Sequence, residues 1–221
     1  MKNLKLYTYG TLLLAAGLAF ENFRPYVNTI ATFITRRCFE QVLVDLCLHN
    51  LPVTLIGNGG GLVYAPLGPT HQAIEDISIM RPLPNITIIS PSDAYEMRCL
   101  MLDSINLKGP LYVRIARGGE KVISNKTEVF KIGKGILKRK PGKFLFISTG
   151  VMTQKTLNAA EELETRLSSR VATRVHAGEA PMVDFAQSPD VDTVMAAIVG
   201  FAGLSAALAA GCTMVLKPSE I

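Results

Sequence analysis

Cysteine is scarce and scattered in this chain. Cys38, Cys47, Cys99 and Cys212 stand far apart, and no two have CxxC spacing. The three histidines, His49, His71 and His176, add no close partners. A structural zinc site needs several such ligands at short spacing, so the residues point to no metal site of their own. Free, mostly buried thiols in a reducing compartment are the expected state, which suits a cytoplasmic protein. Long apolar runs are missing too. None reaches the roughly 18 residues that a membrane-spanning helix needs. Lys and Arg form no dense stripe, and 23 of them against 18 Asp and Glu leave a net charge of only +5 over 221 residues. That excess gives nucleic acid no electrostatic track. Acid is also absent locally, because residues 1–20 hold no Asp or Glu and the first carboxylate is Glu21.

What is present is globular in kind. Hydrophobic residues make up 48% and charged residues 19%, enough apolar content to bury a core. The length allows one large domain or two small ones. At the N-terminus, Lys2 and Lys5 precede the apolar stretch 12–19. That pattern is shared by a signal peptide and by a buried helix opening a domain, and the enzyme-like sequence downstream favours the buried helix.

The chain alternates helical and strand periodicity. Residues 38–49 predict a helix with Phe39, Val42, Leu43 and Leu46 on one face. Residues 52–56 predict a strand entering the turn Gly57-Asn58-Gly59-Gly60-Gly61, and residues 70–80 a helix stopped by Pro82 and Pro84. A buried strand over 86–89 follows, then a helix from Ser92 or Asp93 to about Ser104, and a strand over 111–115. Short strands alternating with helices predict an α/β fold with a mainly parallel sheet. Residues 118–142 are rich in Lys and Gly and read as a linker followed by a β-hairpin that opens a second domain. The expected division is 1–124 and 125–221. Residues 144–148 predict a strand and 152–167 an amphipathic helix. Beyond them the period loosens over 168–190, an Ala-rich helix-like stretch fills 191–210, and 213–216 reads as a short strand.

Chemistry concentrates in Gly68-Pro69-Thr70-His71-Gln72. A Gly-Pro turn would place a Thr-His pair at a helix start, where the His can face a cleft and the helix end favours anions. A capping or core role for His71 is the alternative. The Gly57–Gly61 run is not a P-loop, since no Gly-Lys-Ser/Thr follows.

With Glu75-Asp76, Arg81-Pro82-Leu83-Pro84-Asn85 and Ser90-Pro91-Ser92-Asp93-Ala94-Tyr95-Glu96, this segment resembles the transketolase family. It is similar to the pyrimidine-binding domain shared with deoxyxylulose-phosphate synthases. Ala15-Ala16-Gly17-Leu18-Ala19, Thr32-Phe33-Ile34-Thr35-Arg36, Gly109-Pro110 and Arg114-Ile115-Ala116-Arg117-Gly118 fit the same domain in order. The resemblance implies a thiamine-diphosphate-binding-type parallel sheet with flanking helices, followed by an incomplete transketolase C-terminal-like α/β domain. It implies transfer of a two-carbon ketol unit between sugar phosphates. It implies that Phe33 stacks on the coenzyme pyrimidine, that His71 hydrogen-bonds the donor substrate, and that Arg117 grips the substrate phosphate. Core packing for Phe33 and a surface ion pair for Arg117 are the alternatives.

The departures carry equal weight. In the family a Glu activates the pyrimidine, and its place here falls near Thr8, where no acid stands. Leu67 occupies a position where many members have an Asp that contacts the ketose donor. The Gly-Asp-Gly and Asn elements that hold diphosphate and Mg²⁺ are missing. The resemblance therefore implies a C-terminal half, inactive alone, with thiamine diphosphate and Mg²⁺ shared with a diphosphate-binding N-terminal subunit in a homodimer or heterotetramer. A non-catalytic scaffold of the same fold is the competing reading. The match continues through residues 144–150 and 157–163, stops beyond Arg166, and the family's next strand is not evident in the sequence. Residues 207–220 instead resemble aldehyde dehydrogenases, which implies Lys217 and Glu220 facing an adenosine ribose. The absence of any Trp removes that family's Trp-Asn segment and weakens this oxidoreductase reading.

Overall fold

Leu and Ala, strong helix formers, fill helix α1 (Thr8–Phe20). Its residues Leu12, Ala15, Ala16 and Ala19 are buried and enter the main core with Val42, Leu46, Val53 and Leu55. Residues 8–20 thus form a helix, as one of the two sequence readings expected, but with only one face buried. The computed structural model describes residues 8–139, 144–167, 173–177 and 193–196. The chain divides into two compact units, 1–124 and 125–221.

In the first unit α1 leads to strand β1 (Tyr26–Ile30), helix α2 (Ala31–Ile34) and a 3-10 turn at Arg36–Cys38. Helix α3 (Phe39–Gln41) continues into a π-helical stretch, Val42–Leu48. Val42 and Leu46 are fully buried there, with Phe39 and Leu43 packed against them, as their spacing predicts. Strand β2 (Thr54–Asn58) follows, then 3-10 turns at Ala65–Leu67 and Pro69–His71, helix α4 (Asp76–Met80), strand β3 (Thr87–Ile89), helix α5 (Ala94–Ser104) and strand β4 (Leu111–Ile115). The sheet order is β1-β2-β4-β3, and every pairing is parallel. The last residues of three strands share one register row, Ile30 beside Asn58 and Asn58 beside Ile115. The loops leaving these strands therefore start from a common edge. Parallel sheets present their binding loops at this C-terminal edge.

Helix α5 begins as the sequence predicts, with Asp93 as its cap. The Asp93 carboxylate accepts the Glu96 N–H at 2.8 Å, while Glu96 accepts the Ser92 N–H at 2.6 Å. The helix expected over 70–80 is shorter than predicted. Gly68 adopts φ of +84°, and Ala73 exchanges both backbone hydrogen bonds with Gly61 at 2.8 and 2.9 Å. Those bonds commit the backbone of residue 73 to the bridge, so helical pairing starts only at Asp76. Strand β3 is half-buried rather than buried, because it sits at the sheet edge.

The second unit carries strand β5 (Ile136–Leu137), strand β6 (Phe144–Ser148), helix α6 (Met152–Leu167), strand β7 (Thr173–Ala177) and strand β8 (Thr193–Ala196). Leu145, Phe146 and Ile147 are buried, and Ala160, Leu157 and Leu163 pack on Phe146. The sheet order is β5-β7-β6-β8. Three sequence expectations change here. Strand β5 lies in the segment 118–142 expected to hold a β-hairpin, and it pairs antiparallel with β7 instead. A strand does follow α6, since residues 173–177 run parallel to β6. Residues 193–196, expected within a helix, form β8 beside β6. The expected strand at 213–216 and the tail with Lys217 and Glu220 lie outside the described residues. Among the described residues, no helix is long and apolar enough to cross a membrane.

Candidate functional site

Three connections leave the C-terminal edge of the first sheet, and each carries one residue singled out in the sequence. Phe33 lies in α2, directly after β1. His71 lies in the second 3-10 turn of the connection from β2 to α4. Arg117 stands two residues beyond β4.

The structure brings Phe33 and His71 together. Their ring centroids are 5.1 Å apart at an interplanar angle of 63°, an edge-to-face contact. Several bonds stitch the two segments to each other. The buried Thr32 hydroxyl donates to the Thr70 carbonyl at 3.0 Å. The Arg36 guanidinium donates to the Pro69 carbonyl at 2.9 Å and pairs with Glu75 at 2.7 Å. His71 Nδ1 and the Thr70 hydroxyl are 2.9 Å apart; either can donate, and the bond sets the orientation of the ring. Nε2 is the ring nitrogen left over for a ligand. Arg37 lies with its guanidinium carbon 3.9 Å from the centroid of the Phe33 ring.

Arg117 is exposed. It leaves the same sheet edge, but no hydrogen bond, ion pair or ring contact joins it to Phe33 or His71.

The loop bearing His71 is anchored from below. Buried Asp76 accepts from the Tyr112 hydroxyl at 2.8 Å and from Arg114 Nε at 2.7 Å. Arg114 also donates to the Ala73 carbonyl at 3.3 Å, so β4 holds the residue that closes the Gly61–Ala73 bridge. The Gly-rich turn fits against this cluster. A Cβ on Gly60 would lie 2.6 Å from Arg114 Nε, and one on Gly57 would lie 2.7 Å from the Tyr112 hydroxyl. Burial, reinforced by the Asp76 charge, pushes the Tyr112 phenol well above its ordinary value, so it stays a neutral donor. These glycines serve internal packing, in keeping with the absence of a P-loop pattern. The sequence marked Glu75-Asp76 and Arg114 only as parts of motifs. Their pairing across 38 positions has no local signature.

Two of the cysteine thiols lie in the hydrophobic core. Burial raises the Cys47 thiol to about 11. It also raises Cys38, against the opposing charge of Arg37. Both thiols are poor nucleophiles at neutral pH. Cys38, Cys47 and Cys99 are free. Among the described residues, no three His, Cys, Asp or Glu side chains gather as a metal set.

Comparison with known proteins places the first unit's domain in a family. The model described as "Transketolase, pyrimidine binding domain" matches residues 9–119. The chain belongs to the transketolase family through this domain, and its parallel sheet with flanking helices is the fold of that class. More particularly, it is similar to 1-deoxy-D-xylulose-5-phosphate synthases. It is 38% identical over 154 residues to that of Parasynechococcus marenigrum, covering 68% of this chain and 24% of the relative. With that of Crocosphaera subtropica it is 39% identical over 155 residues, again 68% and 24%. The chain thus spans about a quarter of the length of the curated relatives it matches.

Among solved structures, a "Split gene transketolase, inactive beta4 tetramer" superposes with a TM-score of 0.81 at 28% identity, covering 95% of this chain and 70% of that one. The transketolase of Campylobacter jejuni gives a TM-score of 0.70 at 21% identity, covering 77% and 27%, which shows the fold. A second model, described as "1-deoxy-D-xylulose 5-phosphate reductoisomerase", matches residues 143–214.

Proposed function

We propose that this chain is the C-terminal subunit or fragment of a thiamine-diphosphate-dependent transketolase-like enzyme, and that it supplies the ring-holding half of the coenzyme site. The observation that carries this reading is the Phe33–His71 pair, held 5.1 Å apart at the sheet edge by bonds from Thr32 and Arg36. An aromatic side chain beside a nitrogen donor fits a heteroaromatic ring with a polar substrate next to it. The fit is partial, because α1 offers no acid in its first turn or anywhere along Thr8–Phe20.

When bound, the coenzyme would supply the carbanion-stabilising chemistry that two-carbon transfer requires. This chain's residues bind and orient the reactants. Phe33 stacks on the pyrimidine and fixes its plane. His71, oriented by Thr70, offers Nε2 to the donor sugar's oxygen. Arg117, exposed and without an ion-pair partner among the described residues, grips the phosphate of the sugar substrate. A diphosphate-binding N-terminal subunit completes the site and brings Mg²⁺.

A partner chain also suits the surface of α1, where Leu13, Leu14 and Leu18 are 39–52% exposed on a helix without charge. We place the assembly, a homodimer or heterotetramer, in the cytoplasm, where free thiols persist.

The test is reconstitution. With a diphosphate-binding transketolase subunit, thiamine diphosphate and Mg²⁺, the mixture should transfer ketol units and the isolated chain should not. Under those conditions His71→Ala should lower kcat by about 10²–10³-fold. Arg117→Ala should raise KM for the phosphorylated substrate by roughly 10- to 100-fold.

The missing carboxylate favours a second reading, a scaffold that kept the fold and lost the acid. Thr8→Glu in the reconstituted mixture separates the two: raised turnover marks a weakened enzyme, and no change marks a scaffold.

A further inference from the structure

Phe33 has two faces, and one of them is occupied. The Arg37 guanidinium carbon lies 3.9 Å from the ring centroid, a cation–π contact that fills the space a stacked heteroaromatic ring would take. Arg37 is exposed while Phe33 is half-buried, so the face it covers is the one reached from solvent. His71 meets Phe33 at 63°, an edge-to-face contact, and is not stacked flat on the ring. The two neighbouring arginines differ in how they are held. Arg36 is fixed by Glu75 and the Pro69 carbonyl. Arg37 has no hydrogen bond or ion pair among the described residues; its guanidinium lies on the Phe33 ring and its charge acts on the Cys38 thiol.

We infer that Arg37 is a self-ligand of the site: in the free chain its guanidinium caps Phe33, and an incoming aromatic ring binds only after Arg37 swings away. The inference rests on the reading of Phe33 as the coenzyme's stacking residue. A cap of this kind lowers apparent affinity by the fraction of chains that are uncapped. A cation on an exposed aromatic face is worth enough to close the site in most molecules, and its removal should tighten binding about two- to five-fold (~0.5–1 kcal/mol). The guanidinium is exposed and makes no core contact, so its truncation leaves the fold alone.

The probe is 4-amino-2-methylpyrimidine, the neutral ring of the coenzyme, which avoids charge repulsion between ligand and Arg37. It is titrated into the full chain, the Arg37→Ala variant and the Phe33→Ala variant, with binding followed by NMR. The Arg37 side-chain protons should be shifted upfield by the ring in the free chain and should lose that shift as the probe saturates. Arg37→Ala should bind about two- to five-fold tighter, and Phe33→Ala should abolish binding. If Phe33→Ala abolishes binding but Arg37→Ala binds equally or more weakly, the self-ligand is wrong and the stacking role of Phe33 stands. If the native chain binds no probe, or Phe33→Ala binds as the native chain does, both ideas fall.

Discussion

Asp76 is the residue on which the site's geometry depends. It is 1% exposed and serves Tyr112 and Arg114 at once. Asp76→Ala would leave Arg114 without its anion in a largely buried setting, and should cost about 3–5 kcal/mol by denaturant unfolding. Tyr112→Phe removes one donor and keeps the ring, so it should cost less, about 1–3 kcal/mol. Asp93 makes a second testable case. Burial works against its charge, but the N–H groups of Glu96, Ile123 and Ser124 outweigh burial and hold its carboxyl below the ordinary value. A lowered folded-state value stabilises the protein above the unfolded value of about 4 and loses that contribution as pH falls through the folded one. Asp93→Asn should therefore be less stable at neutral pH and show a shallower loss of stability below about pH 4 in urea titrations. These pairings could not be read from the sequence. Asp93 could, because a cap and its partner lie three residues apart.

At the scale of elements, strands and helices with one strong local signal were legible. Residues 111–115 and 144–148 are apolar, β-prone runs, and α6 has a clear helical period. Two of the failures share a cause, which is pairing between distant residues. The Gly61–Ala73 bridge removes the first turn of the helix expected at 70. Strand β7 mixes Arg174 and His176 with Val175, and its strand state is decided by its neighbours β5 and β6. Strand β8 lies in an apolar run whose period does not separate strand from helix. The turn after β2 gives a direct check. Gly57→Ala puts a methyl group against the Tyr112 hydroxyl at 2.7 Å, and should cost about 1–3 kcal/mol in thermal or urea unfolding. Of the candidate site, the residue types were legible as motifs, whereas the contact between Phe33 and His71 and the cap by Arg37 belong to the folded chain alone.

For the whole molecule, the shortage of acid noted at the N-terminus gains a structural setting. Helix α1 packs Leu12, Ala15, Ala16 and Ala19 into the core and brings no carboxylate with them. The first unit holds an aromatic ring, a histidine and an exposed arginine at one sheet edge, and nothing among its described residues forms a metal set. Its relatives are about four times longer than the stretch they share with it. On the proposed function, a second chain completes the coenzyme site. The most direct measurement is isothermal titration of thiamine diphosphate and Mg²⁺ into the full chain, alone and mixed with a diphosphate-binding transketolase subunit. The account predicts no micromolar binding by the chain alone and micromolar or tighter binding by the mixture. Micromolar binding by the isolated chain, unchanged when the second subunit is added, would contradict it.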